Sequence, residues 1–180
     1  MLTLHPLLAE GRSTRAFDPY AEVTSQELAV LLEAARWAPS SRNSQPWRFA
    51  VGRRGDDTHK RIFESLAPGN RRWAARAPLL LLGAHLTSDG DRPLPHAAYD
   101  LGQAVAHLVV QAGALGLIAH QMGGFDADAL HSELNLPADV RATVVIALGR
   151  PGDPATLPDD LRRRDEATRE RQPAARLLLT

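Results

Sequence analysis

No cysteine occurs in the 180 residues. Disulfides, thiolate metal ligands and thiol nucleophiles are therefore excluded. The absence also agrees with a reducing compartment, and the cytoplasm is the expected location. Lysine is nearly missing: Lys60 stands alone among 21 basic residues, the rest being arginine. A basic contact to phosphate is then an arginine contact, with the two-pronged geometry of a guanidinium. Charge of either sign is not in excess, since 21 acidic residues balance the 21 basic ones. Nothing global draws the chain toward nucleic acid, and none is expected as a partner. Long apolar runs are lacking too. Leu79 to Ala84 falls far below the roughly 20 residues needed to cross a bilayer, so no membrane association is expected. The first residues show no basic stretch leading into an apolar core, so no secretory signal is expected.

Several catalytic signatures are missing. There is no glycine-rich dinucleotide fingerprint, no phosphate loop with lysine, no His-Glu-x-x-His and no nucleophile elbow. The seven histidines are scattered, and no metal site is expected. His107 and His120 lie near apolar segments and read as core or interface groups rather than ligands. The length suits one domain, residues 1–180, with a full-sized core.

Thr3 to Glu10 reads as a short helix ended by Gly11, and Arg12 to Pro19 as a loop. Thr24 and Glu27 form a capping box with Val23 and Leu28 as its staple, and Leu28, Leu31, Leu32 and Ala35 follow at helical spacing. Trp47 to Gly52 alternates like a strand, and Asp57 to Leu66 reads as a helix followed by a turn at Pro68-Gly69-Asn70. Leu79 to Ala84 reads as a strand buried on both faces. Leu101, Ala104, Val105, Leu108, Val109, Ala112 and Leu115 define a long helix, apolar on more than one face. Leu117 to Met122 is a short strand, Asp126 caps a helix to about Leu134, and Thr143 to Leu148 is the last core strand. Gly149 onward reads as a tail rich in arginine and proline. The mixed order gives the class α+β.

The densest polar feature is Pro39-Ser40-Ser41-Arg42-Asn43-Ser44-Gln45-Pro46-Trp47. A plain connector needs only one or two turn residues. This one places hydrogen-bonding side chains from Ser40 to Gln45 between two prolines, which suits gripping a flat polar ligand. Arg12-Ser13-Thr14-Arg15 reads either as an anion site, two guanidiniums around two hydroxyls, or as a solvated loop. Gly123-Gly124 either lets a ligand approach the backbone or makes an ordinary strand-to-helix turn. Arg169-Glu170-Arg171-Gln172-Pro173 is a second basic cluster, whose interleaved Asp165, Glu166 and Glu170 argue against nucleic acid.

Taken in order, Arg-Ser-x-Arg-x-Phe, Pro-Ser-Ser-x-Asn-Ser-Gln-Pro-Trp, Gly-Asn, Gly-Gly-Phe-Asp and Arg-x-Arg-x-Pro resemble the nitroreductase family of FMN-dependent oxidoreductases, from about Leu4 to Pro173. The resemblance implies an α+β fold with a mixed central sheet flanked by helices. It implies a homodimer packed through the long helix, with residues 150–180 as an extended tail embracing the partner. It places one FMN at each of two sites built from both chains. Arg12, Ser13 and Arg15 would line one end of the site, with Arg15 near the pyrimidine edge of the flavin. Arg169 and Arg171 would hold the phosphate, and Asn70 would hydrogen-bond the flavin. Gly123 and Gly124 would present N–H groups to N5 and O4. Ser40, Ser41 and Asn43, with Gln45 beside them, would reach the FMN of the other subunit. The implied activity is ping-pong hydride transfer from NAD(P)H through flavin N5 to a small-molecule acceptor such as a nitroaromatic or quinone. No side-chain catalyst is implied, because the cofactor carries the chemistry. The alternative is a flavin-binding protein without NAD(P)H turnover, serving flavin storage, sensing or breakdown. Two departures stand out: many relatives have a basic residue where this chain has Gly11, and some an acidic one where it has Gly123. Trp73 reads equally as a wall of the substrate mouth or as helix packing.

Overall fold

The apolar run at Leu79 has a simple structural outcome. In the computed structural model, which describes residues 4–179, it forms strand β2 (Leu79–Leu86), and Leu79 to Leu82 are wholly buried. Alternation splits these leucines between two layers. Leu80 and Leu82 pack with Ile62, Leu66 and Trp73, whereas Leu79 and Leu81 pack with Leu101, Val105 and Leu108. The sheet is thus sandwiched, and the strand is buried on both faces as its composition requires.

Helices α1 (Pro6–Glu10) and α2 (Ser25–Arg36) precede strand β1 (Trp47–Arg53). Helices α3 (Asp57–Ser65) and α4 (Pro68–Ala74) lead to β2, and a small hairpin, β3 (Ser88–Asp89) and β4 (Arg92–Pro93), leads to α5 (Ala97–Ala114). Strand β5 (Ile118–Met122), helix α6 (Ala127–Glu133), strand β6 (Val140–Gly149) and helix α7 (Asp159–Glu166) complete the order. The four long strands lie as β1-β2-β6-β5, with Val51 opposite Leu81, Leu81 opposite Ile146 and His120 opposite Ala147. Helices α2 and α5 cover one face; α3, α4, α6 and α7 line the other.

The capping box is present in both directions. The Glu27 N–H donates to Thr24 Oγ1 at 3.1 Å, and the Thr24 N–H donates to Glu27 Oε2 at 2.8 Å. Elsewhere the chain departs from its sequence pattern. The expected mixed sheet is antiparallel in each of these pairings, because each connection returns to the end of the sheet it left: Arg53 lies opposite Leu79, and Leu86 opposite Val140. Pro68-Gly69-Asn70 is not a turn but the start of α4, where Pro68 at the first position gives up no helical hydrogen bond. Helix α5 begins four residues before the expected Leu101, and β6 three before Thr143. The tail is not extended throughout. Residues 159–166 coil into α7, whose Leu161 is buried against the sheet. At the N-terminus the helix starts at Pro6, and the expected start at Thr3 lies outside the described residues, as does Thr180.

Candidate functional site

Two groups of polar residues form, one at each end of α5. The first is built on the loop between α1 and α2. The Thr14 hydroxyl donates to Asp165 Oδ2 at 2.6 Å, the Arg15 N–H donates to the same oxygen at 2.5 Å, and Arg15 Nη1 donates to Oδ1 at 2.6 Å. The Asp165 side chain is only 3% exposed. Burial alone would raise its pKa, but the hydrogen bonds from Arg15 and Thr14 outweigh burial and hold the carboxyl below its usual range. From the opposite side, His120 Nδ1 lies 3.0 Å from the Thr14 carbonyl oxygen. His120 is buried and packs against Trp73 with ring centroids 4.4 Å apart and the planes tilted by 37°. Burial pushes this imidazole below its ordinary pKa. The segment Thr14–Arg15 is therefore clamped between β5 and the end of α7.

The other arginines of this group divide their roles. Arg12 Nη2 donates to the carbonyls of Asp165 and Ala167, at 2.9 and 2.6 Å. The Arg169 guanidinium donates to the carbonyls of Ala9 and Gly11, closing the C-terminal end of α1. Among the described residues Arg171 bonds only the neighbouring Glu170 carbonyl, at 2.9 Å. Gly11, Arg12, Ser13, Arg169 and Arg171 edge a cavity of about 590 Å³ whose wall includes Val109, Val110, Leu117, Ile118 and Gln121. Beyond β5, the Asn70 side chain donates to the Gly124 carbonyl at 3.0 Å. Gly123 and Gly124 are exposed, and a Cβ on Gly123 would meet nothing within 4 Å. Arg12, Ser13, Arg15, Arg169 and Arg171 thus assemble, with Asn70 and the glycine pair joined beside the end of β5.

The second group sits at the first turn of α5. The Ser41 N–H donates to Asp100 Oδ2 at 3.0 Å, and the Gln45 N–H donates to Ser40 Oγ at 3.0 Å. These ties hold three non-glycine residues at positive φ: Arg42 at 53°, Asn43 at 57° and Gln45 at 45°. Such conformations cost about 1–2 kcal/mol each and gather at functional sites. Ser40, Ser41, Asn43 and Gln45 therefore stay together, but not with Arg12 and Arg171. Asp100 and Val110 are ten residues apart on α5, about 15 Å at 1.5 Å per residue.

The nitroreductase family model matches residues 8–71 and 60–150. The chain belongs to the nitroreductase family. It is 33% identical to a structure described as an oxidoreductase containing FMN, superimposing with a TM-score of 0.92 over 99% of this chain and 91% of the other. A candidate nitroreductase from Desulfovibrio desulfuricans, solved in complex with FMN, is 27% identical with a TM-score of 0.78, over 99% and 98% of the two chains. Among relatives known by sequence, a candidate NADH dehydrogenase/NAD(P)H nitroreductase of Leptothrix cholodnii is 32% identical over 87% of this chain and 88% of its own. An uncharacterised 15.4 kDa protein of Mycolicibacterium smegmatis is 39% identical over 69% and 88%.

Within this family frame, three residues of the site escaped sequence reasoning, Asp165, Asp100 and Gln121, whereas His120 is the buried, satisfied group its apolar setting implied. Asp165 is hidden in a charged tail. Asp100 was detectable, because it shares the stripe of Ala104 and Leu108 and so places an acid at a core position. Trp73 is a core residue, 1% exposed, and its ring partners are Phe17 of the loop before α2 and His120 of β5 rather than a neighbouring helix.

Proposed function

We propose that this chain is an FMN-dependent oxidoreductase that works as a homodimer and passes hydride from NAD(P)H to an oxidised small-molecule acceptor, such as a nitroaromatic or a quinone, by a ping-pong course. The observation that carries this reading is the separation of two polar groups, each suited to part of a flavin, to opposite ends of α5. One chain supplies a cavity with an apolar wall and an arginine edge, an exposed glycine pair follows β5, and the strained serine-rich loop lies elsewhere. A second copy antiparallel along α5 brings the loop of one chain to the cavity of the other. Exposed Gly102, Ala106, His107, Gly113 and Ala114 give α5 a face of mostly small side chains for such pairing. Leu177, Leu178 and Leu179 are 72–101% exposed on one chain, and burying them on the partner removes apolar surface from water.

The cavity fits FMN. Val109, Leu117 and Ile118 suit a flat ring system, and Arg12, Ser13 and Arg171 suit the phosphate. Arg171 is the leading phosphate ligand, because Arg12 and Arg169 already bond backbone carbonyls. Asn70 spends its amide N–H on Gly124 and keeps its carbonyl oxygen for the ligand. The N–H groups of Gly123 and Gly124 are the donors for the flavin edge. When bound, FMN supplies the hydride chemistry at N5, with donor and acceptor taking the same place in turn. Arg15 contributes a cation already balanced by Asp165.

That balance favours a second reading, a flavin-binding protein without NAD(P)H turnover, since a compensated cation stabilises reduced flavin less. The deciding experiment starts from purified protein, which should be yellow and release FMN on denaturation. Anaerobic NADH or NADPH should bleach the flavin rapidly. Bound FMN without bleaching would establish the second reading, and a colourless dimer that takes up no added FMN would end both. Ala106→Arg, on the exposed face of α5, should yield a monomer by sedimentation with weakened FMN binding.

A further inference from the structure

The cavity beside the serine-rich loop has a chemistry that the flavin does not need. It measures about 410 Å³ and is lined by Ser41, Arg42 and Ser44 from the loop, Arg92 from the β3–β4 hairpin, and His96 and Asp100 at the start of α5. Arg42 has no hydrogen bond or ion pair among the described residues, yet it is held at φ 53° by the ties of Ser41 to Asp100 and Gln45 to Ser40. Strain of this kind is retained where surrounding structure over-determines it. Among the described residues Arg92 is paired only with Asp89, three residues away and 68% exposed, at 2.8 Å. Such an exposed pair is worth about 0–1 kcal/mol and exchanges readily for a better anion. Asp100, the one carboxylate on the wall, is engaged by the Ser41 N–H.

We infer that this cavity binds the anionic group, a carboxylate or its equivalent, of the oxidised acceptor, with Arg42 and Arg92 as the gripping pair. The inference rests on the reading above, in which the loop meets the partner's flavin, and it adds the acceptor's chemical class. An acceptor with an aromatic or quinonoid body and one carboxylate would place its body toward the flavin and its charge between the two guanidiniums. Arginine suits this task because its planar fork pairs both carboxylate oxygens at once. The hairpin that carries Arg92 then sets specificity while leaving the cofactor contacts untouched.

The test compares 4-nitrobenzoate with nitrobenzene, which differ by the carboxylate. Calorimetric titration of the holoprotein as purified gives affinities without turnover, and dithionite-reduced holoprotein mixed with each acceptor gives the preference in kcat/KM without NAD(P)H. Arg42→Gln and Arg92→Gln should each lower the preference for 4-nitrobenzoate over nitrobenzene about tenfold, the loss expected for a charge-assisted contact of about 1.4 kcal/mol. Arg42→Lys should recover part of it, which a purely structural role would not. An unchanged preference in both glutamine variants overturns the inference, as does a loss confined to NADPH binding, which would assign the cavity to the donor's phosphates. Failure of NAD(P)H to bleach the flavin, with arginine-dependent carboxylate binding intact, would overturn the turnover reading alone.

Discussion

Asp165→Ala removes the acceptor on which the polar group around Thr14 and Arg15 is built. The buried carboxylate serves the Thr14 hydroxyl, the Arg15 N–H and the Arg15 guanidinium. Breaking a buried ion pair by deleting one partner costs about 3–5 kcal/mol, because the other charge is left uncompensated. Here Arg15 keeps 23% side-chain exposure and can partly rehydrate, which places the expected loss at the lower end, about 3 kcal/mol. For a chain of this size that is a fall in Tm of about 6–12 °C at fixed protein concentration. Urea denaturation at pH 7 should give the same free-energy change, and Asp165→Asn, which retains one acceptor oxygen, should fall between. The pH dependence has a definite sign. Asp165 titrates below its ordinary value in the folded chain, so its stabilisation is complete above the unfolded carboxylate value of about 3.9 and disappears as pH falls through the lower folded value. The gap between wild type and Asp165→Ala should therefore close only in strong acid. A gap below about 1 kcal/mol at pH 7 would show that the tie contributes little beyond an exposed pair.

Arg171→Ala should weaken FMN binding by about 1.5–3 kcal/mol and Arg163→Ala hardly at all; equal effects in fluorescence titration would place the phosphate elsewhere. Burial lowers the pKa of His120, and His59 and His85 shift the same way. Each contributes stability present above the unfolded value of about 6.5 and lost as pH falls through its folded value. His120→Gln should thus flatten the fall in Tm between pH 7.5 and 5.5, and an unchanged slope would refute its burial as a neutral group. Gly52→Ala should cost about 1–3 kcal/mol or more in urea denaturation, because its Cβ would lie 2.5 Å from the His59 backbone, which no rotamer change relieves. Gly69→Ala, with nothing within 4 Å, should be neutral or slightly stabilising by the same measurement.

Local signals were readable wherever one turn of chain decides the outcome. The Thr24–Glu27 box, the Leu79–Leu82 strand, the stripe of α5 and the Asp126 cap depend on neighbours within a few residues, and each stands where its pattern put it. The ordered motifs likewise identified the family from residue types alone. Pro68 misled because the same residue opens a turn or the first turn of a helix, and only packing of Trp73 into the core chooses the helix.

Tertiary structure decided what joins distant segments. Asp165 meets Thr14 across 151 positions, and Arg169 meets Gly11 across 158, so no periodicity announces either. Two arginines that look like phosphate ligands in the sequence are committed to backbone carbonyls, because helix ends and loop turns leave acceptors that must be satisfied. The amino-acid sequence by itself determined most of the core elements, the family and the chemistry available to the site. The folded chain alone decided which of those groups keep unpaired donors, and set the two polar groups at opposite ends of one helix, because that depends on which donors and acceptors the packing has already paired.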